Sequence, residues 1–134
     1  MEDKYIYKEE SYQITSALFE VHKQLGCGFL EKVYQEALAI EFNNRHIPFE
    51  KEKVFKITYK NTVLENVFIA DFVCFNKIIL ELKAVQQIDS IHKAQVINYL
   101  RASNLQLGIL ANFGEEYLSP IRLFNKNYNN ETSL

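Results

Sequence analysis

The spacing of hydrophobic residues changes along the 134-residue chain, and each change marks a new structural element. Apolar residues recur every three to four positions over residues 14–25 and again over residues 30–44, which predicts two amphipathic helices. Gly26 and Gly28 stand where the first helix should end, and Pro48 follows the second. The first third of the chain is therefore predicted to be helical.

After the second helix, the spacing of hydrophobic residues shortens to two positions. Phe55, Ile57 and Tyr59 alternate with polar residues, which predicts a half-buried strand, and Lys60-Asn61 offers a turn. A longer strand is predicted at about residues 63–75 and a third at 78–84. Three successive strands without a helical interval indicate an antiparallel meander.

Helical spacing returns over residues 91–102 and is followed by the continuously apolar run LGILA at 107–111. Such a run is typical of a strand that is covered on both faces. Ile121 and Leu123 predict one more short strand. The resulting order, ααβββαβ with a further short strand, is that of a layered α/β domain.

Length and composition limit the class of protein. The chain is 48% hydrophobic and 24% charged, which predicts one globular domain over residues 1–134. We expect its core at about 12–125, with flexible ends at 1–10 and 126–134. The sequence has no apolar run long enough for a membrane span, no signal-peptide pattern and no metal-type spacing of Cys27 and Cys74. These features predict a soluble, cytoplasmic protein.

The charge distribution argues against a protein that holds nucleic acid by bulk positive charge. The formal net charge is -2; the first 20 residues sum to -3 and the other 114 to +1. A local basic surface remains open, because four lysines crowd the first strand and its turn. Glutamates interleave with them, so a solvated edge strand explains these charges equally well. The four lysines are Lys51, Lys53, Lys56 and Lys60.

Three charged residues stand inside apolar runs. Asp71 interrupts the run at 68–74, and Glu81 and Lys83 fall on one face of the strand at 78–84. Burying an unpaired charge costs several kcal/mol or more, so each group needs a partner. One interpretation is an ion-pair cluster that braces the sheet. The other is a pair of carboxylates that share a divalent cation beside a lysine, an arrangement suited to phosphodiester hydrolysis.

The turn between these two strands decides whether the acids meet. A two-residue turn at Asn76-Lys77 would place Asp71 opposite Leu82 and turn it away from Glu81. A common site requires an odd-length loop such as residues 75–77, which sets Asp71 opposite Glu81, or a bulge or strong twist. We predict one of these.

Asp71, followed after nine residues by Glu81-Leu82-Lys83, resembles the signature of the PD-(D/E)XK nucleases. The segment from Gly28 to Tyr34 matches the motif of the GxxExxY family, a small family of prokaryotic proteins in that superfamily. Residues 79–85, 94–100 and 107–114 are similar to later blocks of this family. The resemblance spans about residues 12–125 and implies a restriction-endonuclease-like core with a mixed central sheet flanked by helices.

The resemblance also implies roles for individual residues. Metal ligands for Mg²⁺ or Mn²⁺ would come from both strands, with an acid on the second helix completing the site. Gln95 and Tyr99 resemble a Q-x-x-x-Y motif of other nucleases, in which the glutamine orients the site and the tyrosine contacts the substrate backbone. The implied catalytic residues are Asp71, Glu81, Lys83 and Gln95, the metal ligands are Asp71, Glu81 and Glu31, and the substrate contacts are Tyr99 and Tyr34.

Simpler interpretations of three of these residues remain open. Glu31 could be an ordinary helix glutamate that pairs one turn away. Gln95 could be a core amide that ties a helix to the sheet, and Tyr99 could be a packing aromatic.

The leading hypothesis is a divalent-metal-dependent nuclease. Family grounds favour DNA over RNA, and a chain this small would gain sequence specificity from a homodimer or a partner protein. The first alternative is a non-catalytic nucleic-acid-binding or protein-interaction module on the same fold. The second is a metal-binding structural protein that does not bind nucleic acid.

Overall fold

A computed structural model describes residues 5–129, and within them the chain forms three helices and one five-stranded sheet. The element order is the predicted one, including the short last strand. The elements are α1 (Lys8–Leu25), α2 (Glu31–Asn44), β1 (Phe49–Tyr59), β2 (Thr62–Cys74), β3 (Ile78–Lys83), α3 (Ser90–Ser103), β4 (Leu107–Asn112) and β5 (Ile121–Phe124).

The sheet is mixed and its strands follow chain order, β1-β2-β3-β4-β5. β3 and β4 are parallel and are joined through α3, whereas every other neighbouring pair is antiparallel. The predicted turn at Lys60-Asn61 closes the β1–β2 hairpin, since Tyr59 pairs with Thr62. Both turn residues have positive φ, as a two-residue hairpin turn of type I′ requires. This mixed, helix-flanked sheet confirms the predicted fold class.

The helices cover the two faces of the sheet. α1 and α2 pack on one face, where Leu18, Leu38 and Phe72 belong to the larger core cluster. On the other face Leu100 of α3 packs with Val73 and Ile79. β4 is buried along its whole length, as the continuously apolar run predicted. β3 is also buried up to Leu82, so Glu81 lies within the densely packed centre and Lys83 lies at its edge.

Contacts occur within both of the ends that were expected to be flexible, and their flexibility stays a prediction. α1 begins at Lys8, within the expected lead-in, and Nζ of Lys77 lies 3.0 Å from Oε2 of Glu10. At the other end, the N–H of Asn129 donates to Oδ1 of Asn104 at 3.1 Å. The parts of the predicted flexible ends at 1–4 and 130–134 lie outside the described residues.

The first strand begins at Phe49, earlier than the alternation at Phe55 predicted. β1 is an edge strand, and its first half is rich in charged residues that solvent can accommodate. These charges obscure the alternation of hydrophobic and polar residues.

No helix within residues 5–129 is long and apolar enough to cross a membrane. The cytoplasmic location expected from the sequence stays a prediction.

Candidate active site

The site begins where β2 and β3 separate. The two strands pair from Cys74 and Ile78 to Phe72 and Leu80, and a three-residue loop at 75–77 joins them. The loop turns tightly because Phe75 and Asn76 both adopt positive φ, of 58° and 60°. This odd-length loop confirms the predicted hairpin geometry.

Beyond the last backbone pair, the two acids bridge the strands with their side chains. The N–H of Asp71 donates to Oε2 of Glu81 at 2.8 Å, and the N–H of Leu82 donates to Oδ2 of Asp71 at 2.8 Å. Each carboxylate thus accepts a hydrogen bond from the backbone of the opposite strand. This exchange brings Asp71 and Glu81 together, as a common site requires.

Burial dominates the electrostatics of the acid pair. Glu81 is 5% exposed, and burial together with the neighbouring charge of Asp71 raises its pKa to about 8. Burial also raises the pKa of Asp71, and the charge of Glu31 adds to the effect. The N–H of Leu82 and the charge of Lys83 act in the opposite direction on Asp71. Two like charges so close favour a shared proton or a bound cation.

Lys83 lies at the end of β3 and is held from the helix on that face of the sheet. Its Nζ donates to Oε1 of Gln95 in α3 at 3.0 Å. Its own carbonyl accepts a hydrogen bond from the N–H of Phe113 at 2.8 Å. The lysine is therefore fixed at both its backbone and its ammonium group.

A second contact holds the chain just after Lys83. Asn112, at the end of β4, is buried and bonds the N–H and the carbonyl of Val85 with its amide at 3.0 and 2.9 Å. The same amide binds the N–H of Gly114 and Oε2 of Glu115, so all four of its hydrogen-bonding positions are used. The sequence analysis assigned no role to Asn112. Its position at the end of an apolar strand is the signal that could have identified it.

Tyr99 packs beside the carboxylates from α3. Its ring stacks on Phe68 with centroids 4.2 Å apart, and burial and the charges of Glu81 and Asp71 raise the pKa of its phenol. Within residues 5–129 its hydroxyl has no hydrogen-bond partner. The ring of Tyr99 therefore packs on β2, and its polar end lies near the acid pair.

Tyr34 does not lie where the sequence prediction expected it. The residue is fully buried, and its ring stacks on Phe113 at 4.4 Å. Its hydroxyl donates to the carbonyl of Gly26 at 2.6 Å and accepts from the N–H of Phe29 at 3.2 Å. The structure contradicts a direct substrate contact by Tyr34, because the side chain is inaccessible and its hydroxyl is occupied. It instead fixes the loop that leads into Glu31.

A cleft opens between the first turns of α2 and the acid pair. It has a volume of about 80 Å³ and is lined by Glu31, Lys32, Gln35, Asp71 and Leu82. Glu31 is exposed at the start of α2, and its charge reaches both acids. Across residues 5–129, no three His, Cys, Asp or Glu side chains are grouped closely enough to hold one ion. The predicted third ligand, Glu31, therefore borders the site without closing it.

Gln35 is the cleft residue that the sequence analysis missed. It is 5% exposed, and its Nε2 donates to Oδ1 of Asp71 at 3.5 Å. It lies one helical turn after Glu31, so the two residues share a face of α2. That spacing is a signal in the sequence, but it has meaning only once Glu31 is known to border a site.

Comparisons with known proteins agree with this fold. The sequence model of the PD-(D/E)XK nuclease superfamily matches residues 8–123, and the chain belongs to this superfamily. The crystal structure of SSO0001 is similar over 95% of this chain, with 20% sequence identity and a TM-score of 0.54. The match covers 63% of the SSO0001 chain, and at 20% identity it supports the fold alone. No curated protein matches the sequence.

Proposed function

We propose that the protein is a divalent-metal-dependent nuclease. The observation that carries this proposal is the reciprocal bridge between Asp71 and Glu81 beside Lys83, at the point where two strands separate. A buried acid pair with raised pKa values is costly to keep in a sheet, and perturbed acids in a cleft are typical of functional sites. An ion-pair brace explains the burial less well, because the Lys83 ammonium bonds an amide rather than either acid.

The donor set fits a hard divalent cation. Carboxylate oxygens are the ligands that Mg²⁺ and Mn²⁺ prefer, and a cation would compensate the repulsion between Asp71 and Glu81. We propose these two residues as direct ligands and Glu31 as the third acid. A bound ion of this kind polarises a phosphoryl oxygen and lowers the pKa of a bound water.

The remaining site residues act on the substrate and on the attacking water. We propose that Lys83 orients the attacking water or neutralises charge on the phosphoryl group in the transition state. Gln95 keeps the Lys83 ammonium in place from α3. Tyr99 offers a hydroxyl near the acids for a contact with the substrate backbone.

The following proposals about family, substrate and partners are narrower than superfamily membership. We propose the narrower GxxExxY family on the segment from Gly28 to Tyr34, and DNA as the substrate on the same family grounds. We propose a homodimer or a partner protein as the source of specificity, in a cytoplasmic protein.

The test is metal-dependent cleavage that requires Lys83. Purified protein is incubated with Mg²⁺ or Mn²⁺ and with labelled single-stranded, duplex and branched DNA and with RNA. We expect cleavage with metal, none in EDTA, and a loss of about 10²–10³-fold in Lys83→Ala, the size typical for removal of a group that stabilises transition-state charge. Lys126→Ala removes the same charge from an exposed site and should retain full activity.

Other outcomes favour the alternatives. Wild-type protein that retards nucleic acid in a gel without cutting it would be a binding module. Wild-type protein that binds metal but leaves nucleic-acid mobility unchanged at low salt would be a structural metal protein.

A further inference from the structure

Gln35 differs from the other buried residues of α2. The helix buries four side chains, and the other three are Tyr34, Leu38 and Phe42, which all belong to the larger core cluster. The side chain of Gln35 instead lines the cleft beside Glu31 and Asp71. An amide at this position needs an explanation that packing alone does not provide.

A buried amide needs a hydrogen-bond partner, and the partner of Gln35 indicates what the amide does. Burying an amide without a hydrogen bond is unfavourable, whereas an apolar side chain of equal size carries no such penalty. Within residues 5–129, the hydrogen-bond partner of Gln35 is the carboxylate of Asp71. The polar character of Gln35 is therefore directed at one of the two proposed metal ligands.

The contacts of Asp71 show what this hydrogen bond does. Its Oδ2 accepts the N–H of Leu82 at 2.8 Å, and its Oδ1 accepts Nε2 of Gln35 at 3.5 Å. The strand thus holds one oxygen through a short hydrogen bond, and the helix amide faces the other at the long end of hydrogen-bond distance. Two donors on opposite oxygens restrict rotation of the carboxylate, and each oxygen keeps a lone pair for another ligand.

We propose that Gln35 is a positioning residue that holds the Asp71 carboxylate in the orientation needed to bind the divalent cation. The inference rests on the proposed function, since it concerns a ligand of the proposed metal site. Gln95 makes the matching contact from α3, where its amide holds Lys83. Two glutamines on helices at opposite faces of the sheet then position the acid and the lysine of one site.

Gln35→Met tests this role with little change in volume. Hydrogen-bonding partners of metal ligands typically contribute 10–100-fold to metal affinity or activity. We expect Gln35→Met to weaken Mn²⁺ binding, measured by calorimetry on the protein alone, and to lower kcat by about that factor. KM for the nucleic acid and the thermal unfolding temperature should stay close to the wild-type values, since the change removes neither a substrate contact nor volume.

Gln24→Met is the matched control, because it makes the same chemical change at an exposed helix position. It should leave both Mn²⁺ affinity and kcat unchanged. If Gln35→Met does not fold, Gln35→Asn keeps a polar group in the cleft but withdraws the amide by one methylene. The same loss of Mn²⁺ affinity and kcat is then expected in Gln35→Asn.

The inference is overturned if wild-type protein binds Mn²⁺ and cleaves while the folded Gln35 variant matches it within twofold in both measurements. A variant that loses thermal stability but retains Mn²⁺ affinity would also overturn it, since this pattern marks a packing role. Wild-type protein that neither binds Mn²⁺ nor cleaves would instead reject the proposed function itself.

Discussion

At the scale of single residues, burial sets the protonation of Glu81. An ordinary glutamate has a pKa of 4.5, whereas burial beside Asp71 raises the pKa of Glu81 to about 8. Below pH 4.5 both the folded and the unfolded chain hold this proton, so the group does not make stability depend on pH. Between these values the unfolded chain releases the proton that the folded chain retains. The folded state therefore loses stability as the pH rises from about 4.5 to about 8.

Glu81→Gln should remove most of this dependence. The glutamine still accepts the N–H of Asp71, but it never becomes charged. In EDTA, the free energy of unfolding from urea titrations should fall between pH 5 and pH 8 for the wild type and fall less for Glu81→Gln. Mg²⁺ should restore stability to the wild type more strongly at pH 8, because ligands must be deprotonated to bind the ion.

Glu116→Gln, at an exposed site, is the control and should follow the wild type. A parallel decline in Glu81→Gln and wild type would mean that Glu81 is ionised in the folded protein throughout this pH range.

At the scale of elements, the site depends on how closely the segment after β4 approaches the segment after β3. A methyl group added at Gly114 would clash with the carbonyl oxygen of Val85 and would lie 2.7 Å from its nitrogen. Backbone atoms cannot move aside as a flexible side chain can. Lys83 lies two residues before Val85, so a displacement here reaches the proposed catalytic lysine.

Gly114→Ala should therefore impair stability and activity together. We expect a loss of about 1–3 kcal/mol in the free energy of unfolding, as overpacking typically produces, and a lower kcat. Urea unfolding and a cleavage assay at saturating Mg²⁺ measure the two effects.

Gly108→Ala provides the matched comparison. Its added methyl group would meet Cγ1 of Val96 at 2.7 Å, which is a side-chain atom on α3. This variant should lose stability while kcat stays near the wild-type value. Equal kcat in the two variants would show that the Gly114–Val85 approach does not position Lys83.

At the scale of the whole molecule, the charge distribution limits how the protein holds nucleic acid. The net charge is -2, and two lysines near the start of the sheet are already paired: Lys32 with Glu52 at 2.6 Å and Lys53 with Glu50 at 3.3 Å. The 15 basic residues are outnumbered by 17 acidic ones, which limits the attraction of the whole chain for phosphates. A divalent ion at the acid pair would remove negative charge from the surface that faces the substrate.

We therefore expect weak, metal-dependent binding with a shallow salt dependence. Each phosphate neutralised contributes about -0.9 to the slope of log K against log salt on duplex DNA, so two or three contacts predict a slope of roughly -2 to -3. Fluorescence anisotropy of labelled duplex DNA with Lys83→Ala, which should bind without cutting, measures the slope with Mg²⁺ and with EDTA. A slope near -6, or equal affinity in EDTA, would contradict this expectation.

The order of elements and the candidate acids were predictable because both depend on local spacing. Between regular strands, Asp71 and Glu81 lie opposite each other when the loop joining β2 and β3 has an odd number of residues. The loop at 75–77 has three. Lys83 and Gln95 were also predicted, and the structure joins them. Strand alternation and helical periodicity carry this much information about which residues share a face.

The sequence by itself determined the layered α/β fold and the Asp71…Glu81-Leu82-Lys83 signature, because hydrophobic period and residue spacing are properties of the chain alone. Only the tertiary structure decided that Tyr34 is buried while Gln35, the next residue, lines the cleft. Adjacent residues on a helix point about 100° apart, and their surroundings depend on which layer packs against each face. The raised pKa of Glu81 arises in the same way, since burial is created by packing between distant segments.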